Sequence, residues 1–212
     1  MTCVVGVVSA KGVLLAGDSQ FSTETTHRWS DEPKAFELSE LLAIAYCGSG
    51  RLGQILSYHL TDSLEDPPLG MDEHYWAVRE FIPYLRDVTH AHGHLHIRED
   101  TQVEELGQSA FLLAVRARLF AIEADFSVNE HVQPYEALGS GEDVAIGSLR
   151  ADLGVDPNDY WPTKAKAERA AVKAIRAASE FTNFVGGKIS KVWTVRNTDA
   201  EKALARSVLR GD

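Results

Sequence analysis

Thr2-Cys3-Val4-Val5-Gly6-Val7-Val8 opens directly behind Met1 and reads as a β-strand, because β-branched residues dominate it and no charge interrupts it. A second run of this kind, Val13-Leu14-Leu15-Ala16, leads into Gly17-Asp18. If Met1 is removed, Thr2 carries a hydroxyl nucleophile and a free α-amine on the same residue. Such an amine has an unperturbed pKa near ~8 and can take the hydroxyl proton at neutral pH. One residue then supplies both nucleophile and base.

Three further residues suit that chemistry. Lys34 would place a positive charge beside the hydroxyl, lowering its pKa and holding negative charge as a tetrahedral intermediate forms. Asp18 would pair with Lys34 and fix its position. Gly48, within Cys47-Gly48-Ser49-Gly50, stands where a strand passes into a helix, so its N–H could meet a developing oxyanion. Singly, each has an ordinary reading: a turn aspartate, a solvated lysine, a Gly-Ser-Gly turn before a helix. Cys3 could be imagined as a rival nucleophile, but it lacks the α-amine and belongs to the opposite strand face from Thr2.

Taken together and in order, Thr2, Asp18, Lys34 and Gly48 resemble the proteasome β-subunit and HslV family of N-terminal threonine peptidases. Ala16-Gly17-Asp18-Ser19-Gln20-Phe21-Ser22 is similar to the HslV form of that family's second motif. Ala137-Leu138-Gly139-Ser140-Gly141 resembles its Gly-Ser-Gly element, whose serine lies near the nucleophile, so the resemblance implies that Ser140 helps position the amine. It also implies an α+β fold, the four-layer αββα sandwich of Ntn hydrolases, as a single domain over residues 1–212. Extended peptide would pair along the Gln20, Phe21, Ser22 edge and the Gly48, Ser49, Gly50 edge, with Tyr46 shaping the specificity pocket. Implied partners are unfolded polypeptide, further copies of the chain in stacked rings, and an AAA+ ATPase unfoldase.

The chain departs from the family pattern after its last long helix. Core-particle subunits carry Asp-x-x-Ser-Gly there, whereas this sequence reads Thr182-Asn183-Phe184-Val185-Gly186-Gly187. HslV-type peptidases use backbone carbonyls of this loop to hold a cation, and Ser179, Thr182 and Val185 are the corresponding positions. The resemblance therefore allows a structural monovalent or divalent cation, while the proposed chemistry requires no cofactor.

Composition fits a globular enzyme: 212 residues, 44% apolar and 25% charged. No apolar run approaches the ~20 residues that span a bilayer, and no secretory leader opens the chain, so a cytoplasmic protein without membrane attachment is expected. Net charge of −10 speaks against binding a phosphate backbone. Cys3 and Cys47 form no disulfide framework and suit buried strands.

Strands are expected at 3–9, 12–18, 35–38, 41–47, 109–115, 118–124 and 188–195. Leu41-Leu42-Ala43-Ile44-Ala45 is apolar without alternation, which predicts sheets buried on both faces. Apolar stripes at helical spacing fall on Leu52, Ile55, Leu56 and Leu60, on Val78, Phe81, Ile82 and Leu85, on Val144, Ala145, Ser148 and Leu149, and on Ala167 through Ala178. Pro83 should kink the second helix or mark its start. The stripe around Leu52, Ile55 and Leu56 is expected to face neighbouring subunits. His90, His92, His94 and His96 alternate, and on an extended segment they would share a face; a metal site is one reading, a histidine-rich exposed loop the other.

Two rival classes remain open. One is an Ntn amidohydrolase or acylase acting on small amides, which often carries Cys or Ser first and usually lacks the Asp18 and Lys34 pair. The other is an inactive ring scaffold, in which an N-terminal extension covers the terminus; none precedes Thr2 in this sequence.

Overall fold

The computed structural model describes residues 2–22, 26–61, 63–98, 102–154 and 161–197, and Met1 lies outside them. β1 (Cys3–Ser9) and β2 (Gly12–Gly17) form the opening hairpin, followed by a small hairpin of β3 (Gln20–Ser22) and β4 (His27–Trp29). Next come β5 (Ala35–Glu37), β6 (Leu42–Cys47), α1 (Gly50–His59), α2 (Glu73–Trp76) and α3 (Ile82–Ala91). A ribbon of β7 (His96–Ile97) and β8 (Glu104–Glu105) leads to β9 (Ala110–Val115), β10 (Arg118–Ile122), β11 (Val128–Asn129) and β12 (Tyr135–Gly139). The described chain closes with α4 (Glu142–Leu153), α5 (Lys164–Phe181) and β13 (Ser190–Trp193).

Two antiparallel sheets result, one ordered β12-β1-β2-β13 and the other β11-β10-β9-β6-β5. Three apolar layers fix their stacking. Val4, Val8, Val13 and Leu15 of the first sheet meet Ala43, Ala45, Leu112 and Ala114 of the second. Cys3, Val5, Val7 and Leu14 face outward onto α4 and α5. Leu42, Ile44, Leu113 and Phe120 face α1 and α3. The molecule is therefore the expected four-layer αββα sandwich, and strand alternation divides each strand between an inner and an outer layer. Every residue of β1, β2 and β6 is buried, as non-alternating apolar strands require. Each fully buried Val or Leu contributes about 1.5–3 kcal/mol, so these strands anchor the fold.

Helix α5 buries Ala167, Ala170, Ala171, Ala174, Ile175 and Ala178, the stripe its periodicity predicts. Small alanines let it lie close upon β1 and against α4. Thr163 caps its start, accepting a hydrogen bond from Lys166 N–H at 3.3 Å.

Several expectations are corrected. Leu52, Ile55 and Leu56 are fully buried inside the subunit, so they present nothing to a neighbour. Pro83, by contrast, marks the start of α3 as expected, in its first turn; having no N–H to return to the carbonyl four residues back, it follows a π-helical turn over Ala77–Phe81. The histidine run is not one extended segment. His90 is helical, His92 caps α3 and stacks on His59 at 3.7 Å between ring centres, and only His96 enters a strand. Among the described residues, no group of three or more His, Cys, Asp or Glu side chains is placed to hold a metal. No helix among them is long and apolar enough to cross a membrane.

Candidate active site

Thr2 stands just before β1, flanked by the ends of both neighbouring strands: Val4 pairs with Gly17 of β2 and Cys3 with Gly139 of β12. Asp18 follows β2, and Ser140 follows β12. From the second sheet, Lys34 precedes β5, held by its carbonyl to Tyr46 N–H at 3.0 Å, and Gly48 follows β6. The ends of the two sheets thus gather Thr2, Asp18, Lys34, Gly48 and Ser140 at one mouth of the sandwich.

Lys34 is 1% exposed, and three acceptors surround its ammonium. Nζ donates to Thr2 Oγ1 at 2.9 Å, to Asp18 Oδ1 at 2.9 Å and to the Gln20 carbonyl at 2.5 Å. An ammonium has three protons, so its donors are matched and the cost of burying the charge is offset by an ion pair plus two hydrogen bonds. Burial pulls the Lys34 pKa below the ordinary lysine value, and the Asp18 carboxylate works against that shift. Asp18 is saturated too, accepting from Cys3 N–H, Gln20 N–H and Gly186 N–H at 3.0, 3.0 and 3.1 Å. It cannot swing away from Lys34 without breaking these.

On the other side of Thr2, Ser140 Oγ lies 3.3 Å from Thr2 N and 3.3 Å from Thr2 O. Gly139 makes this approach feasible: its φ is +99°, and a Cβ there would stand 2.3 Å from the Thr2 carbonyl oxygen. Glu142, at the start of α4, accepts from Gly139 N–H at 3.2 Å and holds the turn; burial raises its pKa. Gly48 has φ +96°, and a Cβ there would meet Gln108 O at 2.6 Å. Ser49 caps α1, accepting from Arg51 N–H at 3.2 Å, while its own N–H donates to Ser109 Oγ at 3.0 Å.

The proposed substrate edges have mixed roles. Phe21 is half-buried, with Lys34 Nζ 5.3 Å from its ring centre, and its ring packs on Gly50. Gln20 is a strut, donating through Nε2 to Ser22 Oγ at 2.8 Å and to the Asn183 carbonyl at 2.9 Å. Tyr46 departs from the specificity-pocket expectation. Alternation along β6 sends it into the outer layer, where its Cζ would stand 2.0 Å from a Cβ on Gly53. Burial raises its hydroxyl pKa to about 12. Cys47, of opposite parity, is the β6 residue that reaches the cavity at Thr2. Its thiol is pushed up to about 11 and that of Cys3 to about 12, both by burial, so neither is a thiolate at neutral pH.

That cavity, about 610 Å³, opens beside Thr2 between Gly48, Ser49 and Ser140, and is closed by His94, His96 and the Leu106–Ser109 segment. Sequence reading missed this wall. Trp29 is 63% exposed on β4 and covers Gly187.

The loop after α5 is tied to the site by backbone: Ser19 N–H donates to the Gly186 carbonyl at 3.1 Å and Lys188 N–H to Ser19 Oγ at 2.9 Å. Ser179 and Thr182 turn their hydroxyls back to the carbonyls of Arg176 and Ala178. Ser179, Thr182 and Val185 offer backbone carbonyl oxygens, the donor type that a hard cation takes.

No family model matches the chain, and no curated protein matches it by sequence. Solved structures do match by shape. BPH from Thiobacillus denitrificans superposes with a TM-score of 0.70 at 19% identity, covering 93% of this chain and all of that one. The same protein in complex with epoxomicin gives 0.70 at 19%, over 92% and 100%. Eukaryotic HslV from Trypanosoma brucei gives 0.59 at 18%, over 91% and 99%. The chain shares their fold over more than nine tenths of its length.

Proposed function

We propose that this chain is a threonine peptidase subunit of the proteasome and HslV type, with Thr2 as its nucleophile once Met1 is removed. One observation carries the reading: Lys34 Nζ lies 2.9 Å from Thr2 Oγ1 and 2.9 Å from Asp18 Oδ1, in a buried position where its charge serves no surface purpose.

In this reading Thr2 Oγ attacks the scissile carbonyl and its proton passes to the Thr2 α-amine, directly or through a water. Lys34 stabilises the forming alkoxide, and the Gly48 N–H stabilises the oxyanion on the former carbonyl oxygen. The α-amine then returns the proton to the departing amine. Water hydrolyses the ester left on Thr2 by the reverse order of transfers. Ser140 holds the amine and Asp18 holds Lys34. The substrates would be extended, unfolded polypeptide added as a strand at the site. A stacked-ring homo-oligomer with an AAA+ unfoldase, in the cytoplasm, completes the proposal. Exposed Phe181 and Tyr58, at 77% and 65%, are apolar surface that such contacts would cover.

The test is Thr2→Ala, which removes one hydroxyl at a strand end. Cleavage of fluorogenic peptides should vanish while the thermal transition stays in place. A variant that still cleaves at the parent rate contradicts the mechanism.

A further inference from the structure

The cavity beside Thr2 has chemistry that the catalytic reading does not use. His94 is 94% buried with an Nε2 that finds no partner among the described residues, at a depth where an unmade hydrogen bond is costly. His96 stands edge-on to it at 5.6 Å, packed against Gly107, whose φ of +65° turns the chain past the ring. Gln108 and Ser109 complete this wall. No carboxylate, lysine or arginine is among the described residues that line the cavity, while Arg51 lies close enough to act on His94. Glu142, the acidic neighbour at the far end, is turned to Gly139 N–H. The wall therefore offers imidazole, amide and hydroxyl groups around an unfilled volume.

Position decides which part of a substrate meets it. The departing amine must collect its proton from Thr2 N, which Ser140 approaches, whereas Lys34 approaches Oγ1. Ser140 lines this cavity, so the leaving side of the peptide runs into it. We infer that the His94, His96 and Gln108 wall reads the residue following the scissile bond and selects a side chain ending in a planar oxygen acceptor, carboxylate or carboxamide. This rests on the proposed peptidase function and adds its substrate preference. Leucine-like chains would leave the imidazoles unpartnered, and a lysine would add a cation beside Arg51 and two imidazoles.

The experiment uses processed full-length protein and four internally quenched peptides identical except for Glu, Gln, Met or Lys after the scissile bond, with the cleavage point mapped by mass spectrometry. Gln and Met are close in shape, so their ratio isolates the oxygen. Glu and Gln should exceed Met by about tenfold in kcat/KM, the scale of one good hydrogen bond, and Lys should be poorest. His94→Leu and, separately, His96→Leu should bring the Gln to Met ratio toward one. Equal cleavage of Gln and Met by the parent overturns the inference, as does an unchanged ratio in both variants. If Glu alone is preferred, the wall selects charge, which contradicts the shared acceptor chemistry. Cleavage of none of the four contradicts the proposed function itself, an outcome distinct from even cleavage of all four.

Discussion

The two sides of Thr2 are built on opposite plans. Toward Asp18 and Lys34 every strong donor and acceptor is matched, both residues are almost fully buried, and backbone N–H groups of three segments converge on one carboxylate. Toward His94 and Gln108 the wall is open, polar and incompletely paired. The matched side can hold a charge in place without motion, which is what stabilising a developing oxyanion requires. The unmatched side can exchange partners, which is what reading different substrates requires. On the proposed function, chemistry belongs to the first and selection to the second.

The largest effect should come from breaking the matched side. Lys34→Ala should lower kcat by roughly a hundredfold or more, as when an oxyanion-stabilising group is lost. Lys34→Arg should not restore it, because a planar guanidinium cannot direct donors to Thr2 Oγ1, Asp18 Oδ1 and Gln20 O from one point. Steady-state kinetics on a fluorogenic peptide decide this, and full activity in either variant would make Lys34 a bystander.

A subtler break uses pH. Burial holds the Lys34 pKa below its ordinary value of 10.5, so the ammonium is lost as pH rises through a value lower than that of an exposed lysine. The alkaline limb of kcat/KM should therefore fall earlier than for an ordinary lysine. Asp18 opposes the depression, so Asp18→Asn should move the limb to still lower pH. A limb that stays in place would separate Asp18 from Lys34.

The glycine hinge between the two sides comes next. Gly48→Ala should destabilise the fold by about 1–3 kcal/mol, since φ of +96° and a Cβ 2.6 Å from Gln108 O leave no relaxed position for a methyl group. Chemical denaturation measures this directly, and an unchanged midpoint would contradict it. Smallest is the cation expected at the carbonyls of Ser179, Thr182 and Val185. Raising Na⁺ or Mg²⁺ at constant ionic strength should lift Tm by ~2–4 °C, the shift that about 1 kcal/mol produces in a domain of this size. A flat response to both would leave that loop without an ion.

The matched side was legible in the sequence because Thr2, Asp18, Lys34 and Gly48 lie at strand ends, and the strands themselves announce their positions through unbroken apolar runs. Helix α5 was equally plain, as six apolar residues repeat at helical spacing. The open side was not. β7 and β8 are two residues long and partly exposed, too short for any periodicity to register. His94 and His96 alternate with His90 and His92, a spacing that shares a face only on an extended segment, whereas α3 runs on to Ala91 and Gly93 turns the chain before the pair begins. Tyr46 was assigned to the pocket by proximity to Gly48, yet parity along β6 gives Cys47 that place. Counting alternation from Ala45, which lies in the inner layer, would have found this. Ser109 carried no signal, since it acts on backbone supplied by a distant segment, and Glu142, three residues from the Gly139 N–H it holds, reads as an ordinary first-turn acid of α4.

The most direct test of Thr2 as an N-terminal nucleophile is the intact mass and peptide map of purified protein after reaction with a peptide vinyl sulfone. The account predicts a chain lacking Met1, one adduct per subunit on Thr2, and loss of peptidase activity in proportion to labelling. An active protein that retains Met1, or an adduct on Cys47 or elsewhere with Thr2 unmodified, would contradict it.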